Sequence, residues 1–125
     1  MRKIGIIGGT GVEDASRFGT LEPVTVKTPF GEAHCLKTTL NGHEVYFMAR
    51  HGANHSLPPH KINYRANIFA LKQLGVTEIL SFTAVGSINV ALRPGTFVVC
   101  SQLLDFTKNR VNTFFNGEGG KVAHV

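Results

Sequence analysis

The sequence predicts an α/β domain built on a mixed sheet. Three observations carry this. Apolar, β-branched runs read as at least five strands, one amphipathic helix lies between two of them, and an Asn41-Gly42 pair joins two others as an antiparallel hairpin. The 125 residues suit one domain, 1–125, with enough chain to bury a core.

The elements follow in order. Residues 3–8 (KIGIIG) form a short buried strand, and the glycine-rich GGTG at 8–11 turns the chain. Residues 22–28 (EPVTVKT) alternate as a strand does, and 33–39 and 43–49 flank the Asn-Gly turn. Residues 62–74 form the helix: Asn63 is its N-cap, Ala66, Phe69, Ala70 and Leu74 make its apolar face, and Gly75 ends it. Further strands are predicted at 77–83 and 96–104, separated by a turn at Arg93-Pro94-Gly95. The last segment, 109–125, is polar and glycine-rich, and Ala123-His124-Val125 could start another strand. One helix cannot cover both faces of such a sheet, so the chain is expected to be part of a larger domain.

Composition narrows the function. Hydrophobic residues make up 42% and charged residues 17%, a balance that excludes a disordered chain. Apolar runs are too short for a membrane span and the start lacks a signal-peptide pattern, so a cytoplasmic location without membrane contact is expected. The net charge of +5 is spread singly, without the basic stripe or interleaved aromatics of a nucleic-acid surface, and suits a site for a small anion. Cys35 and Cys100 both fall in strand-like runs and are expected to be reduced core thiols.

Three strand ends carry anion-friendly chemistry. At 8–11, consecutive glycines let backbone N–H groups face an anion and Thr10 adds a hydroxyl, although the motif fits a plain turn equally well. It is not a dinucleotide fingerprint, since Asp14 stands where the third glycine belongs, and no Gly-Lys-Ser/Thr follows to make a P-loop. At 50–52, Arg50-His51-Gly52 presents a guanidinium fork suited to phosphate, or an ordinary surface ion pair. At 83–87, Thr83-Ala84-Val85-Gly86-Ser87 places small residues where open α/β sheets hold their ligands, or makes a tight turn. In a sheet these three ends could converge. His51, His55 and His60 lie in a loop broken by Pro58-Pro59 and lack zinc spacing, so hydrogen bonding is expected of them and no metal.

Taken in order, IIGGTG, ARHG, NHSLPPHKINYRAN, ALKQLGV, TAVGS, RPGTFVV and QLLDFT closely resemble the trimeric purine nucleoside phosphorylase family, in its methylthioadenosine and methylthioinosine phosphorylase branch. The resemblance runs from Lys3 to the last residue, and PPHKINYRAN is its most specific block. It implies a phosphorylase/hydrolase-like three-layer sandwich with a mixed central sheet, here its N-terminal part. It also implies phosphorolysis of a purine nucleoside or 5′-methylthionucleoside, methylthioadenosine foremost, to free base and a ribose-1-phosphate. The resemblance further implies inorganic phosphate as co-substrate, no cofactor or metal, and a homotrimer, for which a complementary C-terminal chain is a conceivable further partner.

By matching position, Thr10, Arg50, His51, Thr83 and Ala84 resemble the family's phosphate site. His55 resembles a neighbour of phosphate and ribose, and His124 one that reaches the 5′-substituent in an adjoining subunit. The block 63–67 resembles an anchor between loop and helix. Asp105-Phe106-Thr107 departs from the family's usual Asp-Arg-Thr. The family's base-reading carboxylate or amide and its methionine under the ribose fall outside these 125 residues, so no catalytic residue is assigned here. A phosphate- or nucleotide-binding module without catalysis is the alternative.

Overall fold

A computed structural model describes residues 1–9, 18–117 and 123. Five strands form one mixed sheet: β1 (Lys3–Gly8), β2 (Glu22–Thr28), β3 (Gly31–Leu40), β4 (His43–Ala49) and β5 (Glu78–Ser81), in the spatial order β2-β3-β4-β1-β5. β2, β3 and β4 run as an antiparallel meander, whereas β1 pairs in parallel with β4 on one side and β5 on the other. The hairpin turns where Asn41-Gly42 demanded it, with φ of 48° and 77° at the two residues, the left-handed pair that matches strand twist.

β4 is apolar on both faces because both are covered. Tyr46 and Met48 join Ile7, Ala33 and Cys35 against the helix α1 (Tyr64–Gln73), whose Ala66, Ala70 and Leu71 are fully buried. Val45 and Phe47 point the other way, packed with Ile6, Leu21, Leu36 and Leu40, and the Phe18 ring stacks on Phe47 at 5.1 Å between centroids. Burial pushes the Cys35 thiol up to about 11, so it is an inert core group.

The helix is bounded by the residues that the sequence nominated. The Asn63 side chain accepts from the Ala66 N–H at 3.0 Å and donates to the Phe30 carbonyl at 2.6 Å, so one residue caps α1 and ties it to the β2–β3 turn. The Phe30 ring meets Phe69 edge-on and lies under the Arg65 guanidinium, 4.8 Å from its centroid. At the other end Gly75 takes φ 80°, its N–H reaches the Lys72 carbonyl, and the Val76 N–H reaches Leu71. Those two bonds satisfy carbonyls that the last turn leaves open.

The chain after β5 departs from the sequence reading. The strand expected at 96–104 does not form: among the described residues it has no strand beside it to take its backbone hydrogen bonds. Its apolar side chains stay in solvent, with Phe97 at 89% and Val99 at 97% exposure, and Cys100 is exposed rather than a core thiol. Ala123 is the one described residue of the strand start considered at 123–125.

A charged cluster crosses the sheet at the start of β1. Glu44 lies opposite Lys3 in the parallel register, and its carboxylate takes Lys3 Nζ at 3.0 Å, Lys37 Nζ at 3.1 Å and the Tyr46 hydroxyl at 3.0 Å. Lys3 Nζ also donates to the Leu74 carbonyl at the helix C-terminus. The Lys3 and Lys37 hydrogen bonds hold the Glu44 carboxyl down at about 2. A group whose folded pKa is lowered adds stability above its unfolded pKa and loses it as pH falls. Urea unfolding of the wild type should therefore lose this contribution between about pH 4.5 and about 2, and Glu44→Gln should unfold more easily at pH 7 and lack that part of the acid slope. Equal slopes for the two proteins over that range would contradict the assignment.

Candidate functional site

The parallel strands β4, β1 and β5 end side by side, so that Gly9, Arg50 and Phe82, which follow them, lie at one end of the sheet. The Arg50 N–H continues the ladder to the Gly8 carbonyl at 3.0 Å, and the Phe82 N–H does so to Ile7 at 2.8 Å. Carboxyl ends of parallel strands are where open α/β sheets place ligands.

Arg50 crosses this edge. Its Nη1 donates to the Phe82 carbonyl at 2.8 Å and its Nη2 to the Thr83 hydroxyl oxygen at 3.2 Å. The guanidinium thus joins the end of β4 to the end of β5, passing over Gly9 at the end of β1. Because the Thr83 oxygen accepts from Arg50, its own proton is left to donate to a ligand. A cation, a hydroxyl donor and the exposed backbone that follows at Ala84 stand together here, a set that suits a phosphate.

The loop after β4 is closed by His51 and Leu57. The Leu57 N–H donates to the His51 carbonyl at 2.8 Å, and His51 Nδ1 lies 3.0 Å from the Leu57 carbonyl. A carbonyl only accepts, so Nδ1 carries the proton. Nε2 then accepts in the neutral ring and donates in the imidazolium, which makes His51 a donor to an anion through Nε2 when the ring is charged. The His55 ring stacks on His51, 5.5 Å between centroids and 16° between planes. His60 sits apart in the turn Pro59–Lys61 and lines a separate cavity of about 280 Å³ with Lys61, Tyr64, Arg65 and Arg110.

A larger cavity of about 450 Å³, mostly apolar, opens beside the guanidinium and is lined by Gly8, Met48, Arg50, Asn54, Leu57 and Asn67 among others. Of the residues nominated from sequence, the fold joins Arg50 to Thr83, which Ala84 follows, and stacks His55 on His51, the residue after Arg50. Thr10 and His124 lie outside the described residues. The sequence reading missed the Phe82 carbonyl, a backbone atom that no residue type announces, and the use of Gly9 as clearance for the guanidinium. The glycine run at 8–9 was the available signal for the second.

Known proteins share this arrangement of chain. A family model described as the phosphorylase superfamily matches residues 3–125. A probable 6-oxopurine nucleoside phosphorylase of Dictyoglomus turgidum is 55% identical over 123 residues, which is 98% of this chain and 47% of that protein. An S-methyl-5′-thioadenosine phosphorylase of Nitrosopumilus maritimus is 45% identical, over 98% of this chain and 47% of its own length. The structure of methylthioadenosine phosphorylase from Schistosoma mansoni in complex with adenine superposes with a TM-score of 0.89 at 39% identity, covering 100% of this chain and 46% of that one. The chain therefore spans about half the length of the relatives it matches.

The loop that carries His51 depends on Gly52, which takes φ 73° and whose added Cβ would stand 2.7 Å from the Ser56 hydroxyl oxygen. Gly52→Ala should lower the unfolding free energy by roughly 1–3 kcal/mol, because φ 73° with ψ 178° is a backbone region essentially confined to glycine. Urea denaturation checks this, and an unchanged midpoint would show that the loop rearranges freely.

Proposed function

Because this chain belongs to the phosphorylase superfamily, we propose that it supplies the phosphate site of an enzyme that cleaves purine nucleosides or 5′-methylthionucleosides by phosphorolysis. The observation that carries the reading is Arg50, held by the Phe82 carbonyl and the Thr83 hydroxyl where three strand ends meet. Phosphate is the co-substrate, and the reading needs no metal or organic cofactor. Methylthioadenosine is the favoured nucleoside, and the relatives include phosphorylases named for it and for the 6-oxopurine nucleosides.

The chemistry suits these donors. As the glycosidic bond breaks, positive charge grows on the sugar. A phosphate held in line by preorganised groups stabilises that charge and then bonds C1′, while the purine departs with the electron pair. Arg50 supplies the fixed cation, Thr83 and Thr10 hydroxyls, Ala84 its backbone N–H, and His51 an Nε2 donor when protonated. His55 sits beside His51 toward the ribose, and His124 serves the 5′-substituent of a neighbouring subunit's substrate. The base is read by polypeptide beyond these residues, supplied in a cytoplasmic homotrimer or by a complementary chain.

Two measurements test this. The purified 125-residue chain should release no base from methylthioadenosine or inosine with phosphate present, and activity should appear when a polypeptide matching the rest of the relatives' length is added. Turnover by the chain alone would refute the division of labour. In the active assembly, Arg50→Ala should raise the KM for phosphate by roughly tenfold or more, the loss expected of a charged hydrogen-bonding partner. An unchanged KM would remove Arg50 from the phosphate site.

A further inference from the structure

We propose that Gly9 is a positioning residue for Arg50: the side chain it lacks is the space in which the guanidinium lies. A Cβ built on Gly9 would stand 2.6 Å from Arg50 Cζ and 2.8 Å from Nη1, and its three nearest heavy atoms all belong to the guanidinium. Carbon cannot approach that closely, so the group would have to leave. Gly9 is not in the left-handed region, so its backbone does not itself call for glycine. The requirement is clearance for one side chain.

The consequence is specific. Arg50 makes its two bonds, to the Phe82 carbonyl and to Thr83 Oγ1, from the space that a Cβ on Gly9 would take. A methyl at 9 would lift it off both partners, and a long flexible side chain released in this way moves into solvent at small cost to the sheet beneath. The β1 backbone keeps its pairing with β4 and β5 throughout. Gly9 therefore sets the aim of the cation, and its substitution removes aim rather than fold. The inference rests on the phosphate reading for its functional consequence, and on geometry alone for the coupling between Gly9 and Arg50.

The test is a double-mutant cycle on the full chain with Gly9→Ala, Arg50→Ala and the double variant. Nitrogen NMR of the guanidinium groups should show one arginine with slowed rotation in the wild type, absent from Arg50→Ala and averaged in Gly9→Ala. Titration with inorganic phosphate should weaken by roughly tenfold or more in Gly9→Ala, by a similar factor in Arg50→Ala, and by no further factor in the double variant. If Gly9→Ala fails to fold, recovery of folding in the double variant supports the clearance role, and continued failure overturns it. A restricted guanidinium that persists in Gly9→Ala, or losses that multiply in the double variant, also overturns it. If the wild type binds no phosphate, the functional reading falls, and the NMR signal with the stability cycle still decides the role of Gly9.

Discussion

The parallel pairing of β1 with β4 on one side and β5 on the other is the constraint on which everything else rests. Parallel strands share a direction, so the loops that leave them emerge at one edge. Gly9, Arg50 and Phe82-Thr83, far apart along the chain, become neighbours for that reason alone. An antiparallel partner on either side would have sent one of the three loops to the opposite edge.

The rest of the fold serves this pairing. The β2–β3–β4 meander extends the sheet and gives α1 a surface. Asn63 and Phe30 then tie the helix to the meander, and the Glu44 carboxylate bridges β1, β3 and β4 through Lys3 and Lys37. This bridge lies at the opposite end of β1 from Arg50, so charged groups stand at both ends of that strand. The two differ in kind. Glu44 is neutralised by two cations, while Arg50 rests on a carbonyl and a hydroxyl and keeps its charge unopposed by a carboxylate in those two bonds. That cation at the carboxyl ends of the strands is what the proposed phosphate site rests on.

Beyond β5 the molecule presents apolar side chains to solvent over a long stretch, including Ile88, Val90, Phe97 and Phe106. Exposure on this scale is unusual for a free surface. Among the described residues no strand pairs with the outer side of β5, and the relatives that the chain matches are about twice its length. Arg50 and Thr83 meet within these residues because β4 and β5 both pair with β1.

By itself the sequence determined the local structure and the chemical set. Asn41-Gly42 marked the hairpin, Asn63 and Gly75 bounded the helix, the alternation at 22–28 marked β2, and Arg50, His51 and Thr83 were legible as anion-binding types. These depend on short-range steric and capping rules that a few residues satisfy alone. Tertiary structure decided the remainder. It showed that 96–104, apolar and β-branched, stays unpaired, since a strand needs a neighbour and no local pattern provides one. It separated His60 from His51 and His55, and it turned a glycine run into the clearance beneath Arg50. Distances between loops are set by strand order and direction, which long-range pairing chooses and which residue spacing leaves open.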